Sequence, residues 1–295
     1  MGGLGNQLFQ YAAAKRLSII NNAELRIDES NFKKLTSNSE HSFQLTCFNI
    51  SACQATKSEI SKVIRPTNYL ARAINTVFGA SPLKSKSKAI FREPEGSSFK
   101  PDVLEQTGDK YLIGYYNSYK YFEPIRNVLI DEYRPREEIS PQGQDLLKVI
   151  ESTNSVSLHI RRGDYVDNPD VYKCIEGIIT DRFYLNAVEF IAAKIEAPHF
   201  FIFSNDMAWV RQHFRISHQS TFVDFNTAQR GFEDLWLMSR CRHNITAGGS
   251  TFSWWAAYLN PNIDKLVVRS EQVSNDFKYN YPEDYFPPEW VAVKS

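Results

Sequence analysis

Residues 158–165 read Leu-His-Ile-Arg-Arg-Gly-Asp-Tyr. They end a segment in which every second residue is apolar, namely Val156, Leu158 and Ile160. This period of two predicts a β-strand that carries His159 on the face opposite those apolar side chains. Arg161, Arg162 and Asp164 then fall at the end of the strand, where open α/β sheets bind their ligands. The segment therefore predicts a strand of an α/β sheet that leads into a ligand site.

Two adjacent arginines at such an edge suit a diphosphate, because each planar guanidinium can bond two oxygens of one phosphate. The neighbouring Gly163 lets the backbone approach the ligand, so a nucleotide sugar is the ligand class that we expect. A surface arginine pair bridged to Asp164 is the alternative, and it would be favoured for an isolated Arg-Arg. Three further segments favour the ligand site.

The chain has 295 residues, which is enough for two domains of about 150 residues that each bury a core. We expect an N-terminal domain over 1–145 and a C-terminal domain over 146–295, since Pro, Gly and Gln cluster within 136–150. Lysine plus arginine and aspartate plus glutamate number 34 each, so no overall charge attracts nucleic acid. Any anion site must be local.

Compartment is indicated by the cysteines and by hydropathy. The four cysteines form neither a Cys-x-x-Cys pair nor a metal-ligand spacing; they are Cys47, Cys53, Cys174 and Cys241. No apolar run approaches 18 residues, and a glycine turn stands where a secretory leader would be. We therefore expect a reduced, cytoplasmic protein with no transmembrane segment.

Strands and helices alternate from Ser155 onward, which predicts a parallel sheet with right-handed crossovers. The predicted strands span 155–160, 199–203, 221–224, 244–246 and 265–269, and the predicted helices span 181–193, 208–214, 232–241 and 252–259. The first half is less regular. It predicts a helix that ends near Ile20, strands at 25–27 and 111–115, a polar insertion near 51–100 and a helix over 121–133.

Near the start, Gly2-Gly-Leu-Gly-Asn-Gln7 predicts a tight turn into a helix N-terminus that favours an anion. A helix-entry turn without a ligand is an equally good interpretation. Leu8 replaces the third glycine of the dinucleotide fingerprint, so a Rossmann dehydrogenase is unsupported. Such a turn normally follows a strand, yet only Met1 precedes it. We expect an exposed edge or groove where that strand would lie.

Further along, Gly248-Gly249 precedes three hydroxyl residues and a helix, which predicts a second phosphate cradle. Those hydroxyls belong to Ser250, Thr251 and Ser253. Asp206 suits a helix N-cap and could also orient an arginine. Asp234 lies in the first turn of a predicted helix. Its carboxylate could simply complement the helix dipole, or it could accept hydrogen bonds from the ring N–H and the amino group of guanine.

Five segments in this order resemble the α-1,2-fucosyltransferases of bacteria and animals, glycosyltransferase family 11. They are Gly2-Gly-Leu-Gly-Asn-Gln-Leu-Phe-Gln-Tyr-Ala12, Gly114-Tyr-Tyr-Asn-Ser-Tyr-Lys-Tyr-Phe122, His159-Ile-Arg-Arg-Gly-Asp-Tyr165, Phe203-Ser-Asn-Asp206 and Gly248-Gly-Ser-Thr-Phe-Ser-Trp-Trp255. The resemblance implies an α/β, GT-B-like fold of two Rossmann-like domains facing a cleft. It places the acceptor mainly in the first domain and GDP-fucose mainly in the second, whose sheet is parallel.

The resemblance also implies inverting transfer of L-fucose from GDP-β-L-fucose to O2 of a terminal galactoside, with no cofactor and no required metal. The lack of an Asp-x-Asp motif agrees with a metal-independent site. A lipid-linked acceptor would make the protein peripheral to a membrane. Two alternatives stay open: a non-catalytic glycan- or nucleotide-binding protein on the same fold, and a transferase of another GDP-sugar.

Residue by residue, the resemblance assigns the β-phosphate to Arg161, with His159 and Arg162 beside it, and guanine to Asp234. It assigns phosphate oxygens to the hydroxyl residues Ser250, Thr251 and Ser253. Asn6 would face the diphosphate or the fucose across the cleft. Asp206 joins the donor-binding set, and Asp164 is the candidate general base, although a neighbouring arginine would lower its pKa and weaken it in that role.

Overall fold

The computed structural model describes residues 1–32, 42–64, 87–96, 98–162 and 168–295. The helices are α1 Leu4–Ile20, α2 Lys57–Ile64, α3 Arg126–Glu132, α4 Pro141–Ser152, α5 Pro169–Ile175, α6 Asp181–Ala192, α7 Met207–His213, α8 Gly231–Arg240, α9 Thr251–Leu259 and α10 Pro282–Tyr285. The strands are β1 Arg26–Ile27, β2 Cys53–Gln54, β3 Ile90–Arg92, β4 Tyr111–Ile113, β5 Asn154–Ile160, β6 Pro198–Ser204, β7 Ser220–Val223, β8 His243–Ile245, β9 Val267–Ser270 and β10 Val291–Val293.

Six parallel strands form the sheet of the second half, in the order β10-β9-β8-β5-β6-β7. The chain runs from β5 outward through β6 and β7, then returns to β8 on the other side of β5. The strand order therefore reverses between β5 and β8, and a crevice for a ligand forms at the carboxyl ends of these two strands. The predicted α/β class and parallel sheet are confirmed.

Helices cover both faces of this sheet. The apolar residues of β5 pack with α6 and α7; they are Val156, Leu158 and Ile160. On the opposite face, Phe201 and Phe203 of β6 pack with α8 and α9. His159 lies on this second face, beside the ring of Phe252. The prediction that His159 points away from the apolar residues of its strand is confirmed.

Most predicted elements of the second half are present within two residues of their expected limits. Two predictions need correction. The predicted helix over 121–133 is instead two 3-10 turns followed by α3, because Pro124 lacks the N–H that a continuous helix would need. The predicted strand over 111–115 ends at Ile113, and Tyr116 adopts a positive φ of 55°.

The Pro- and Gln-containing segment after Ser140 is mostly helix α4, so a domain boundary at 145/146 stays a prediction.

The first half contains two separate two-stranded parallel sheets, β1–β2 and β3–β4, among the described residues. A groove of about 510 Å³ lies along β1, β4 and one face of α1. Of the predicted polar insertion, residues 65–86 and 97 lie outside the described residues. Within the described part, no helix is long and apolar enough to cross a bilayer.

One hydrophobic core joins the two halves of the sequence. Phe9 of α1 and Phe122 pack against Trp254 and Trp255 of α9. The prediction that both tryptophans are core residues is therefore confirmed. Because aromatic pairs at these distances hold a defined mutual geometry, α1 is fixed relative to the sheet that carries β5.

Candidate active site

The amino-terminal turns of α1 and α9 lie against each other. A Cβ atom on Gly5 would stand 2.5 Å from the carbonyl carbon of Thr251 and 2.6 Å from the nitrogen of Phe252, so the contact requires glycine. The N-cap residues Gly3 and Ser250 make no side-chain capping bond, and neither first turn contains an acidic residue. The first N–H groups of both helices lack partners within their helices, and both dipoles favour an anion at this point.

Arg161 follows β5 directly, at the reversal of strand order between β5 and β8. Its backbone N–H donates to the hydroxyl of Tyr184 over 3.3 Å. The charge of its guanidinium contributes to lowering the pKa of His159. Arg161 thus lies at the carboxyl end of β5, beside Tyr184 of α6.

Arg162 lines one small pocket together with Arg161. Its guanidinium carbon stands 3.4 Å from the ring centroid of Trp209, and its Nε donates to Asp206 over 3.4 Å. Asp206 also accepts from the backbone N–H of Trp209 and so caps α7. Asp206 therefore both caps a helix and orients an arginine, as its sequence position indicated. Because Arg161 and Arg162 both line one pocket of about 160 Å³, the expectation that the two guanidinium groups act together on one diphosphate stays a prediction.

His159 is buried, and burial together with the charge of Arg161 lowers its pKa to about 3. Its ring stands 5.4 Å from the ring of Phe252. Its Nδ1 is buried and finds no hydrogen-bond partner among the described residues. At neutral pH the ring is uncharged, so His159 can donate or accept a hydrogen bond but does not take up a proton as a base.

Asp234 lies in the first turn of α8. Burial, with a smaller contribution from the neighbouring Glu233, raises its pKa to about 7. The side-chain amide of Asn226 donates to one carboxylate oxygen over 2.7 Å and opposes this shift. By contrast, Glu233 is fully buried and forms an ion pair with Arg230, while Ser140 also donates to it. Glu233 is therefore structural, and Asp234 is the carboxyl group of this turn that has capacity for a ligand.

The three hydroxyl residues differ in their surroundings. Ser253 accepts from the backbone N–H of Ala247 over 3.1 Å and donates to the carbonyl of Ser250, so its hydroxyl closes the glycine turn. A phosphate contact from Ser253 would replace only its 3.4 Å bond to Ser250, so this assignment stays a prediction. The hydroxyl of Thr251 lies next to Gly5, at the contact of the two helix N-termini.

Asn6 lies in the first turn of α1, with its side chain next to Gly2. Asp164 lies outside the described residues, so its role as a base stays a prediction. Across the ranges that the structure does describe, no cluster of three or more histidines, cysteines and carboxylates could hold a metal ion. The lack of a metal requirement also stays a prediction.

Sequence reasoning did not find Phe252 or Asn226. Phe252 connects the site: its backbone meets Gly5 of α1, and its ring lies beside His159 of β5 and near Gly231 at the start of α8. No periodicity marks such a residue, because its contacts come from three distant segments. Asn226 follows β7 closely, and polar residues at that edge of the sheet are a usable signal.

A known protein family matches the chain over nearly its whole length. The family model described as "Glycosyl transferase family 11" matches residues 1–294. An alpha-1,2-colitosyltransferase of Escherichia coli is 35% identical over 99% of this chain and 97% of its own length. Galactoside alpha-(1,2)-fucosyltransferase 2 of Hylobates lar is 31% identical over 62% of this chain, which corresponds to 54% of that protein.

A solved structure of NodZ alpha-1,6-fucosyltransferase, soaked with GDP-fucose, aligns with a TM-score of 0.52 at 14% identity. The alignment covers 91% of this chain and 92% of that one. At this identity the likeness concerns the fold alone. The predicted α/β, GT-B-like fold is confirmed.

Proposed function

Since the chain belongs to glycosyl transferase family 11, we propose that it transfers L-fucose from GDP-β-L-fucose to O2 of a terminal galactoside, with inversion at C1. The observation that carries this proposal is the contact of the α1 and α9 N-termini at Gly5 and Phe252, beside His159 near the carboxyl end of β5. Two helix dipoles at one point favour a diphosphate, and we propose that Arg161 reaches it from the end of β5. The similarity to galactoside fucosyltransferases supports the choice of sugar and acceptor.

Each part of the donor has a partner in this proposal. The diphosphate lies between Gly3 and Ser250, where it receives the first N–H groups of both helices. Arg161 bonds the β-phosphate from the end of β5. Asp234 accepts the ring N–H and the amino group of guanine, which are two donors on one edge that a carboxylate meets with both oxygens. Asn6 faces the fucose side of the cleft.

In the chemical step, the acceptor O2 attacks C1 of fucose while the bond from C1 to the β-phosphate oxygen breaks. GDP leaves with the electron pair of that bond, and the proton of the acceptor hydroxyl passes to a base or to water. Negative charge grows on the β-phosphate during this step, so a fixed Arg161 stabilises the transition state more than the ground state. Asp164 is the proposed base, and His159 acts as a neutral hydrogen-bonding group because its pKa is about 3.

GDP-colitose is a second candidate donor. The relative that matches 99% of this chain is an alpha-1,2-colitosyltransferase, and colitose is the 3-deoxy counterpart of L-fucose. Both donors carry GDP on C1 of the sugar, and they differ in one hydroxyl group, at C3. The phosphate and guanine contacts proposed above serve both, so the discrimination must come from groups near C3 of the sugar.

The test is GDP release with GDP-fucose or GDP-colitose, in the presence of a panel of β-galactosides and with or without EDTA. We expect acceptor-dependent GDP release, a product with an α-1,2 linkage by NMR, and an unchanged rate in EDTA. Faster release from GDP-colitose would select the second donor. Donor binding without release on any acceptor would contradict an enzyme and favour a non-catalytic binding protein.

Cytoplasmic location is also part of the proposal, supported by the lack of disulfides among the four cysteines.

A further inference from the structure

Four aromatic side chains are exposed across the ranges that the structure describes. They are Tyr115 after β4, Tyr172 of α5, and Phe277 and Tyr279 between β9 and α10, with exposed fractions of 44%, 42%, 78% and 46%. Apolar side chains scattered singly over a surface are normal, whereas exposed rings that group together mark a binding site. The hydrogen bonds between their segments show that these four rings belong to one surface, which we call the aromatic rim.

Tyr172 connects the aromatic rim with the proposed donor site. It lines the pocket of about 160 Å³ at the end of β5, together with Arg161. Ile179 is another wall of that pocket, and its Cγ1 would lie 3.4 Å from a Cβ atom on Gly248, in the turn before α9. One end of the aromatic rim therefore lies beside Arg161 and the turn that leads into α9.

Residues 274–285, which lie between β9 and the end of α10, form a bridging segment that begins on α5. The backbone and side-chain N–H groups of Asn275 donate over 2.7 to 3.1 Å to carbonyl oxygens at the end of α5, those of Lys173, Cys174 and Glu176. The last carbonyls of a helix lack partners within the helix, so Asn275 satisfies them. The side chain of Asp276 then caps a 3-10 turn over Phe277–Tyr279. Phe277 and Tyr279 are thus held on a fixed turn next to α5.

The bridging segment continues to the chain that follows β3. Lys278 pairs with Glu95 over 3.2 Å, and a Cβ atom on Gly96 would stand 2.9 Å from the carbonyl oxygen of Lys278. In the same chain, Glu93 accepts from the backbone N–H of Tyr115 over 2.6 Å. The turn that carries Tyr115 is therefore tied to the segment that carries Phe277 and Tyr279.

Asp284 holds the far end of the bridging segment against residues 114–122, a motif of the sequence that has no role in the donor site. Its carboxylate pairs with Lys120 over 2.6 Å and accepts from the backbone N–H of Phe99 over 2.8 Å. The hydroxyl of Ser118 donates to the carbonyl oxygen of Asp284 over 2.6 Å. Because both ends of the bridging segment are bonded to the body of the protein, its exposed rings are fixed in position before a ligand binds.

Charge and ring chemistry indicate an uncharged sugar as the ligand. The bridging segment contains one lysine, Lys278, and three acidic residues, Asp276, Glu283 and Asp284. This excess of negative charge opposes nucleic acid and anionic lipid head groups. A pyranose ring has an apolar face of C–H groups and hydroxyl groups at its edge. It can stack on an aromatic ring and bond a tyrosine hydroxyl, since tyrosine has an apolar body and a polar tip.

We propose that the aromatic rim is an extended acceptor subsite, on which the sugar units next to the terminal galactose stack. This inference rests on the proposed function, because it takes the pocket beside Arg161 as the place of transfer. The galactose lies at that pocket, and the rest of the glycan runs past Tyr172 and along the bridging segment toward Tyr115. The preferred acceptor is therefore an oligosaccharide rather than a short galactoside.

The test measures glycan binding by NMR titration with GDP bound and no sugar donor present. The two probes are lactose and lacto-N-neotetraose, a disaccharide and a tetrasaccharide that both end in β-galactose. We expect the parent to bind the tetrasaccharide about tenfold more tightly than lactose, which is the effect of a well-stacked ring. Phe277→Ala should lose most of this preference, and Phe277→Trp should keep it. GDP affinity and melting temperature should stay at the parent values in both variants, because Phe277 is 78% exposed.

Ile263→Ala is the matched control. Ile263 is 93% exposed, and it precedes β9, so it lies at the edge of the sheet opposite to the carboxyl ends of the strands. Its variant should bind both glycans like the parent. Ring currents should move C–H protons of the stacked sugar units upfield in the parent, and Phe277→Leu should abolish this shift because leucine is apolar but has no ring. Equal tetrasaccharide affinities in Phe277→Ala and Ile263→Ala, or a parent that does not prefer the tetrasaccharide, would overturn the proposal.

Transfer assays distinguish failure of this inference from failure of the proposed function. With GDP-fucose, Phe277→Ala should raise the KM for the tetrasaccharide about tenfold and leave kcat unchanged, because the ring binds the acceptor away from the reacting atoms. A protein that binds the tetrasaccharide through Phe277 but releases no GDP would support the aromatic rim and contradict the transferase. A protein that transfers fucose to both glycans with the same KM would support the transferase and overturn the aromatic rim.

Discussion

Replacing Asp234 by Asn tests how the base of the donor is recognised. Burial raises the pKa of Asp234 to about 7, so the carboxyl changes its charge near neutral pH. With that value, about a tenth of the groups are ionised at pH 6 and about nine tenths at pH 8. Guanine offers two donors, and only the carboxylate accepts both. We therefore expect GDP to bind about tenfold more tightly at pH 8 than at pH 6, and we expect Asp234→Asn to lose that dependence.

Titration calorimetry with GDP at pH 6, 7 and 8 measures the effect. The phosphates of GDP also titrate in this range, but the parent and the variant meet the same ligand. The ratio of their affinities at each pH therefore isolates the contribution of Asp234. The affinity of the parent for GDP, divided by that of the variant, should increase from pH 6 to pH 8. A ratio that stays constant across the range, with both proteins folded, would refute the assignment of guanine to this carboxyl group.

Stability provides an independent check on the same group. The folded pKa of Asp234 lies above its usual value of 3.8, so its contribution to stability is fully present below that value and is lost as pH rises through about 7. An amide is uncharged at every pH and has almost the same shape. Asp234→Asn should therefore melt at a temperature no lower than that of the parent at pH 8, although it binds GDP less well. A lower melting temperature at pH 8 would mean that the carboxylate is structural.

Two further substitutions test the phosphate end. Arg161→Lys keeps the charge but loses the planar fork, so kcat should fall roughly 100-fold with the fold intact. Arg162→Lys should instead mainly lower the melting temperature, because Arg162 stacks on Trp209. Equal rate losses in the two variants would contradict the assignment of the β-phosphate to Arg161 alone. Gly5→Ala should weaken GDP binding and lower the melting temperature by several degrees, because the added Cβ would collide with α9. Gly231→Ala is the control: its Cβ would lie 3.8 Å from the nearest atom, so neither GDP binding nor the melting temperature should change.

The second half could be predicted from sequence because its signals are strong. Strands such as β5 and β6 have seven residues, and each leads into a turn with glycine or a capping side chain. The first half could not be predicted as well, because β1 and β2 have two residues each and no period can be recognised over two residues. Their position depends on α1 and on the groove, which are tertiary features.

The site was predicted in part for the same reasons. The glycine turns marked both helix N-termini, but the residues that bring them together, Gly5 and Phe252, carry no signal of their own. The partners of Arg162 could be predicted only in part. Asp206 at the start of α7 suits an arginine, whereas nothing in the sequence marks Trp209 as the ring on which Arg162 stacks.

The positive field of the cleft comes from groups that do not titrate near neutral pH. Arg161 and the two helix N-termini keep their charge, while His159 stays neutral because burial beside Phe252 holds its pKa at about 3. The group in the proposed donor site whose charge changes near neutral pH is Asp234, at the other end of the nucleotide. In the proposed donor site, changes of pH therefore act on the recognition of guanine and leave the groups assigned to the leaving β-phosphate unchanged. Specificity for the base and stabilisation of the transition state are thus assigned to different elements, α8 for the first and β5, α1 and α9 for the second.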